Sequence, residues 1–208
     1  MEKIIKYFKL FRKDISGTFF FIFTLIRRDL YNFIFSPVNL LLILKGCKLD
    51  GWSKFYRFPL VERFPNSTIK IGRGCVFVSS SLLNYRGINH PCIINTGCEG
   101  AEIIIGSKCG FSGVSIVANK LVKIGDFVTI GANTLIGDRD DHAELYDSKP
   151  QPVIIEDNVW IGMQCIILKG VHIGRNCIIG AGSVVTKNIP PDSIAAGIPC
   201  RVIKTRTK

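Results

Sequence analysis

Several features that would place this chain in a common class are missing from its sequence. It has no CxxC pair of the kind that holds zinc, no nucleic-acid-binding motif, and no Ser-His-Asp or Cys-His arrangement for covalent catalysis. Its two longest apolar runs, residues 15–26 and 30–44, are shorter than the roughly 20 residues that cross a bilayer. The first run is followed by "RRDL" instead of small residues, so a signal-peptide cleavage site is also lacking.

Acidic residues are scarce, with 16 Asp and Glu against 27 Lys and Arg, which gives a net charge of +11. Residues 1–60 hold 11 cations and 4 acids, a net of +7, and 11 of the 14 Phe lie between Phe8 and Phe64. Because this excess charge lies among apolar runs and not on a polar face, we expect no nucleic-acid partner. An apolar content of 47% is ample for a packed core.

The N-terminal segment, residues 1–60, is basic and aromatic and is predicted to be helical. Four lysines recur at helical spacing: Lys3, Lys6, Lys9 and Lys13. They indicate a basic amphipathic helix. The two apolar runs that follow are separated at Arg27–Asp29, and the second is interrupted at Ser36–Pro37. Two compatible interpretations stay open: a helical hairpin packed on the protein or on a neighbouring subunit, and a monotopic foot, residues 1–45, on the cytoplasmic face of the cell membrane.

Aliphatic residues recur every six positions in the second half of the chain. The series comprises Ile124, Ile130, Ile136, Ile155, Ile161, Ile167, Ile173, Ile179 and Val185. Many members are followed by Gly, and a period of six suits the short strands of a parallel β-helix with a column of inward aliphatics. Such a solenoid is predicted for residues 61–190, ending at Pro190–Pro191. The spacing of 19 between Ile136 and Ile155 breaks the repeat and indicates a loop, residues 138–152.

The cysteines follow the same repeat. Four of the eight fall four positions after a repeat aliphatic, in a slot also occupied by small or β-branched residues: Cys75, Cys109, Cys165, Cys177, Ser115, Val128, Thr134 and Ser183. This slot is predicted to hold small, buried side chains, a role that free cysteine serves. A reduced, cytoplasmic setting is therefore favoured over a disulfide framework.

The segment "VWIGMQCIILKGVHIGRNCIIGAGSVVTKNIPPDSIAAGIPCRVIK", residues 159–204, resembles the hexapeptide-repeat acyltransferases. Within that family it is most similar to the galactoside and maltose acetyltransferases and to O-acetyltransferases of bacterial capsule, O-antigen and exopolysaccharide synthesis. The resemblance implies a left-handed β-helix, a homotrimer with its sites between subunits, and acetyl-CoA as the acyl donor. Residues 191–208 would form a short C-terminal extension that contacts the coenzyme.

The resemblance also implies a catalytic role for the loop. His142, in "DRDDHAELYD", matches the histidine that serves the family as general base, and an imidazole can take the proton of an attacking sugar hydroxyl without a covalent acyl-enzyme. Asp140 is predicted to occupy a small inward slot and to act beside His142, and Asp138 is assigned to the acceptor side. A metal-bound DxD pair is a disfavoured rival. A zinc site built from His90, His142 and His172 is disfavoured by their spacing, so no metal is expected.

Seven positions match the coenzyme-binding residues of the family: Trp160, Met163, Ala181, Thr186, Lys187, Arg201 and Lys204. Trp160 would form a wall of the active site, and the N–H near Met163 would stabilise the tetrahedral oxyanion. Ala181, Thr186 and Lys187 would line the pantetheine and reach its phosphate end. The last two residues of the set would meet the nucleotide phosphates.

The acceptor side is the least specific part of the sequence. Ser112, next to Phe111, lies where galactoside acetyltransferases carry an asparagine near the sugar, and the loop between His142 and Trp160 is shorter than theirs. Both departures favour a glycan or lipid-linked acceptor over a small galactoside. The sequence thus predicts a cytoplasmic sugar O-acetyltransferase of surface-polysaccharide synthesis. Two alternatives stay open: the same chemistry on serine or an antibiotic, and a catalytically silent membrane or partner scaffold.

Overall fold

The structure is a computed structural model that describes residues 14–84, 86–140 and 149–206. Two helices come first, α1 (Ile15–Ile34) and α2 (Val38–Leu44). Asp14 caps α1 by accepting a hydrogen bond from the Gly17 N–H, and Ser36–Pro37 separates the two helices as predicted. α1 runs without a break through Arg27–Asp29, where the first apolar run of the sequence ends.

Three parallel sheets follow, and the chain visits them in a fixed order to form a triangular coil. Sheet A contains β1 (Lys48–Leu49), β4 (Thr68–Ile71), β7 (Glu102–Ile105), β10 (Leu121–Ile124), β13 (Val153–Ile155) and β16 (His172–Ile173). Sheet B contains β2 (Lys54–Tyr56), β5 (Val76–Val78), β8 (Gly110–Ser112), β11 (Thr129–Ile130), β14 (Trp160–Ile161), β17 (Ile178–Ile179), β19 (Ser193–Gly197) and β20 (Cys200–Thr205). Sheet C contains β3 (Leu60–Arg63), β6 (Ile93–Thr96), β9 (Ser115–Ala118), β12 (Leu135–Gly137), β15 (Ile166–Ile167) and β18 (Val184–Val185). A short 3-10 helix, Ser81–Leu83, lies between β5 and β6.

This architecture confirms the predicted left-handed parallel β-helix. The residues of the six-residue series are buried and stack in register, as in the pairs Ile130–Ile161 and Ile161–Ile179. Strand pairing begins with β1, within the segment assigned to the N-terminal helices. It also passes Pro190–Pro191, because β19 pairs in parallel with β17 before β20 returns antiparallel. The expectation that the prolines end the solenoid is therefore wrong.

The first coils are filled by aromatic side chains in place of isoleucine. Phe55, Phe77 and Phe111 are buried and stacked, with ring centroids 5.0 and 4.9 Å apart. Val38 and Leu42 of α2 join the same core and close its N-terminal end. Removing these apolar side chains from water supplies the main driving force for folding.

Asn39 fixes the closing helix to the β-helix. Its side-chain amide donates to the Ser53 carbonyl oxygen and accepts from the Ser53 N–H, both at 2.9 Å. Lys45 and Arg63 add a second attachment, since Lys45 Nζ donates to the Val61 carbonyl and Arg63 Nε donates to the Lys45 carbonyl, both at 3.0 Å. α2 is therefore packed and hydrogen-bonded to the solenoid as an integral part of it.

All eight cysteines are free, and seven are buried. Burial raises the pKa of the Cys165 and Cys177 thiols, so both stay neutral in the core. The small-slot prediction holds for every member except Ser115, which is half-buried because Val114 points inward in its place.

Candidate active site

The three corners of the triangular coil give the candidate site its positions. We name them by the sheets that they join, so that the chain turns the AB corner, then the BC corner, then the CA corner. Loop 138–152 leaves the coil at the CA corner, between β12 of sheet C and β13 of sheet A. Residues 141–148 lie outside the described part of the chain, and His142 is among them.

The start of the loop is anchored by Asp138. This residue is fully buried, and its carboxylate accepts hydrogen bonds from the N–H groups of Asn119, Lys120 and Leu121 at 2.8, 2.6 and 2.8 Å. These three successive N–H groups belong to the turn of the preceding coil, and all of them point to the Asp138 carboxylate. A carboxylate offers enough lone pairs to satisfy all three at once, so the buried slot is polar.

The end of the loop is anchored by Gln151. Its N–H donates to the Asp138 carbonyl oxygen at 2.8 Å, and its own carbonyl accepts from the Gly170 N–H at 3.1 Å. Gly170 has a φ of 74° in the left-handed region, and a Cβ there would come within contact of the Gln151 side chain. The chain therefore leaves the coil at Asp138 and returns to it at Gln151, and the hydrogen bond between these two residues closes the base of the loop. We call this pair of residues the neck.

The prediction that Asp140 occupies an inward slot is wrong. Its side chain is 53% exposed and pairs with Lys169 of the following coil. The inward position belongs to Asp138, which points to the turn below and not toward an acceptor outside the coil. Asp140 lies two residues before His142, at the point where the chain enters the loop.

Two coenzyme candidates lie on the same corner, one coil above Lys169. Thr186 and Lys187 follow β18 and are exposed. Lys169 and Lys187 are 18 residues apart, which is one full turn of three hexads, so both lysines occupy equivalent positions on the CA corner. The sequence analysis missed Lys169 and Gln151. The 18-residue spacing was the available signal for Lys169, whereas nothing in the sequence pointed to Gln151.

A second group of predicted site residues lies on the BC corner. It comprises Ser112, Met163 and Ala181. The successive coils approach closely here, because a Cβ on Gly131 would be 2.5 Å from the Met163 nitrogen, and a Cβ on Gly162 would be 2.5 Å from the Ala181 nitrogen. The Met163 N–H has no acceptor among the residues that the structure describes. An N–H held in this way can donate to an oxygen of a bound molecule.

The remaining candidates lie on or beside sheet B. The Trp160 side chain projects outward from β14 between Thr129 and Ile178 and is 56% exposed. Arg201 and Lys204 are exposed on β20, the antiparallel strand at the end of the same sheet. Phe111 cannot contact an acceptor, because its ring is in the core, whereas the neighbouring Ser112 is half-buried.

Within one chain, the candidate site residues therefore lie on different sides of the β-helix and do not form a single cluster. The neck, Thr186 and Lys187 lie on the CA corner, whereas Trp160 lies on sheet B, which is the face opposite that corner of the triangle. The other two histidines are not part of the neck, although His172 follows Gly170 by two residues. His172 lies on β16 and its Nε2 is 2.8 Å from Glu156 Oε1, and His90 lies between β5 and β6. Among residues 14–84, 86–140 and 149–206, no group of three His, Cys, Asp or Glu could hold a metal ion.

Comparisons with known proteins agree with this architecture. The family described as "Hexapeptide repeat of succinyl-transferase" matches residues 152–187. The chain is 46% identical over 96 residues to galactoside O-acetyltransferase of Escherichia coli (strain K12), which covers 44% of this chain and 47% of that protein. It is 36% identical over 121 residues to galactoside O-acetyltransferase of Lactococcus lactis, which covers 55% of this chain and 58% of that protein. The chain thus spans about half the length of the curated relatives that it matches.

Among solved structures, the chain is similar to AntD, an N-acyltransferase from Bacillus cereus in complex with dTDP and 3-hydroxybutyryl-CoA. The TM-score is 0.64 at 21% identity, and the match covers 81% of this chain and 88% of that chain. At this identity the likeness concerns the fold.

Proposed function

The chain belongs to the hexapeptide-repeat acyltransferases, and from that premise we propose that it transfers the acetyl group of acetyl-CoA to a sugar hydroxyl. The observation that carries the proposal is the closed neck. The coil is interrupted once in its regular C-terminal half, and the interruption is held by a buried carboxylate and a main-chain hydrogen bond. A loop fixed so firmly at its base can hold His142 in one place, as catalysis by a positioned base requires.

The proposed reaction needs one base and one oxyanion donor. His142 takes the proton of the acceptor hydroxyl while that oxygen attacks the thioester carbonyl carbon. The carbonyl oxygen then carries the negative charge, and the N–H of Met163 donates to it. When the tetrahedral intermediate collapses, the C–S bond breaks, and the imidazolium returns its proton to the leaving thiolate of coenzyme A. The products are the acetyl ester and free coenzyme A, with no acyl-enzyme.

We further propose that the complete site forms between chains of a homotrimer. The support is the separation of Trp160 and Met163 from the CA corner within one chain. A neighbouring coil packed side by side brings the sheet B face and BC corner of one chain toward the CA corner of the next. The coenzyme would then contact Trp160, Met163 and Ala181 through its pantetheine arm. Thr186, Lys187, Arg201 and Lys204 would lie toward its phosphates.

The proposed acceptor is a glycan or a lipid-linked sugar of a surface polysaccharide. Galactoside O-acetyltransferases are among the relatives, which favours a sugar over serine or an antibiotic. Ser112 is half-buried at the BC corner on the proposed acceptor side, whereas Phe111 contributes only to the core.

The experiment compares the wild-type protein with His142→Ala and His142→Asn. Release of coenzyme A is followed with a thiol reagent across a panel of galactosides, nucleotide sugars, polysaccharide fragments, serine and aminoglycosides. We expect kcat to fall roughly 10²–10⁴-fold in both variants on the true acceptor, the usual worth of a general base, with unchanged coenzyme binding and melting temperature. Retention of more than about a tenth of the activity would place the base elsewhere. Failure of the wild-type protein to bind coenzyme A in calorimetry would favour the scaffold.

A further inference from the structure

The two helices at the N-terminal end expose an unusual amount of apolar surface. Of the 26 large apolar side chains that are exposed in the described residues, 13 lie between Ile15 and Leu44. Five of them recur at intervals of four and three along one side of α1: Phe19, Phe23, Ile26, Leu30 and Phe33. We call these five residues the outer stripe. Apolar patches of this extent mark a surface that is covered by a partner or a membrane.

Two of the three charged residues of α1, Arg27 and Arg28, contact residues of the β-helix, whereas Asp29 is exposed. Arg27 Nη2 donates to the Leu82 carbonyl oxygen at 3.4 Å, and the guanidinium of Arg28 lies 5.6 Å from the centroid of the Tyr56 ring. A helix on the surface of a protein in water normally buries its apolar side and exposes its charges. α1 directs two of its three charged residues to the β-helix and exposes the apolar outer stripe, so the side that carries the stripe is suited to an apolar medium.

The apolar surface continues onto α2. Val38, Asn39 and Leu42 are buried against the β-helix, whereas the other side of the helix exposes four large side chains: Leu40, Leu41, Ile43 and Leu44. Both helices are thus attached to the solenoid on one side and apolar on the other. No helix in the described part of the chain is long and apolar enough to cross a bilayer.

The chain that precedes α1 supplies positive charge. Residues 1–13 contain five cations, Lys3, Lys6, Lys9, Arg12 and Lys13, against a single acid, Glu2. Each Lys or Arg near an anionic membrane adds to the electrostatic attraction. Apolar side chains beside a cluster of cations are the composition of segments that lie in the interface of an anionic membrane.

We propose that α1 and α2 rest on an anionic lipid surface, with the outer stripe and the exposed side of α2 inserted among the acyl chains. A second copy of this chain is the rival occupant, since the spacing of the outer stripe is that of a coiled-coil seam. A helix packed along that seam would leave Leu40, Leu41, Ile43 and Leu44 exposed, and the cations of two copies would repel each other. A lipid surface covers both helices and neutralises the charge.

The lipid contact does not depend on the proposed acetyl transfer. If both hold, the enzyme works beside the membrane, where a lipid-linked sugar acceptor is anchored. That consequence rests on the proposed function.

The test is flotation of the full chain with vesicles of phosphatidylcholine alone and of phosphatidylcholine with phosphatidylglycerol. We expect flotation with the anionic vesicles, weaker binding in high salt because exposed charges are screened, and loss of at least about tenfold in binding for Phe23→Gln/Leu30→Gln. The matched control is Phe127→Gln/Leu60→Gln, which changes two apolar side chains that are similarly exposed on the β-helix. All four positions are exposed, so folding is preserved.

Two further measurements separate the outcomes. Light scattering reports the oligomeric state of both double variants. If Phe23→Gln/Leu30→Gln changes the oligomer and the wild-type protein does not float, the covering partner is a second copy, and the proposal is overturned. Equal flotation of both double variants overturns it as well. Release of coenzyme A with a water-soluble acceptor should be the same in both, so failure of the lipid contact is distinguishable from failure of the proposed function.

Discussion

A main-chain hydrogen bond of 2.8 Å joins Gln151 to Asp138 across the loop that interrupts the β-helix. The carboxylate of the same Asp138 accepts three hydrogen bonds from residues 119–121 of the preceding coil. One residue therefore closes the loop and ties it to the coil below. Stability of the coil and placement of the loop are linked at this position.

Asp138→Ala tests that link. The substitution leaves three partly buried N–H groups without their acceptor, and full burial of such a group without a partner costs about 1–3 kcal/mol. We expect a clear fall in the midpoint of denaturant unfolding together with a loss of activity. Asp140→Ala is the matched control: the Asp140 side chain is 53% exposed, and an ion pair at the surface contributes less than about 1 kcal/mol. Equal midpoints for the two variants would show that the three hydrogen bonds do not anchor the loop.

Lys187→Ala and Arg201→Ala test the coenzyme contacts. Both side chains are exposed, and the phosphates that they would meet do not change during acyl transfer. Their interaction is therefore the same in the ground state and the transition state, and its loss should raise the KM for acetyl-CoA more than it lowers kcat. Lys123→Ala, an exposed lysine on the outer face of sheet A, should leave both constants unchanged. A variant with reduced kcat and a normal KM would place its residue near the reacting atoms.

The regular half of the fold was predictable from the sequence because each coil there repeats one pattern. Ile130, Ile161 and Ile179 stack in one column, and their spacing outside the loop is that of the hexad. In the earlier coils the same architecture is harder to recognise from the sequence. Phe77 and Phe111 replace isoleucine in that column, and an insertion between β5 and β6 separates them by 34 residues.

Other features depend on partners that are distant in sequence. α1 continues through Arg27 and Arg28, which contact Leu82 and Tyr56. The local sequence around the two arginines does not predict these contacts. The exchange of roles between Asp138 and Asp140 depends on where the chain leaves the coil. A hexad count cannot locate that point, because it assumes that the repeat continues.

Gly131→Ala tests the role of the Met163 N–H. The new Cβ would lie 2.5 Å from the Met163 nitrogen, so the adjacent coil must shift at the BC corner. Overpacking of this kind costs about 1–3 kcal/mol, and the displaced N–H should also lower kcat. Gly100→Ala is the control. Its φ of 74° makes alanine unfavourable by about 1–2 kcal/mol, yet no atom lies within 4 Å of the new Cβ. The two variants should lose similar stability, while only Gly131→Ala loses kcat. Normal kcat in Gly131→Ala would remove the Met163 N–H from the proposed mechanism.

Mixed oligomers test whether the site forms between chains. Trp160 lies on sheet B and loop 138–152 leaves the opposite corner, so a shared site would take Trp160 from one chain and His142 from its neighbour. His142→Ala and Trp160→Ala should each be nearly inactive alone. Co-assembled in equal amounts at random, they should recover about a quarter of the wild-type activity, because one site in four combines two intact residues.

A second mixture controls for the assembly itself. A chain that carries both substitutions, co-assembled with an equal amount of wild-type chain, gives about a quarter of full activity when the two residues come from different chains. It gives about half when they come from the same chain, since every wild-type chain then keeps an intact site. We expect about a quarter of the wild-type activity in both mixtures. No recovery in the first mixture and a half in the second would place His142 and Trp160 in one chain, and the loop would then have to fold back across its own coil to reach sheet B.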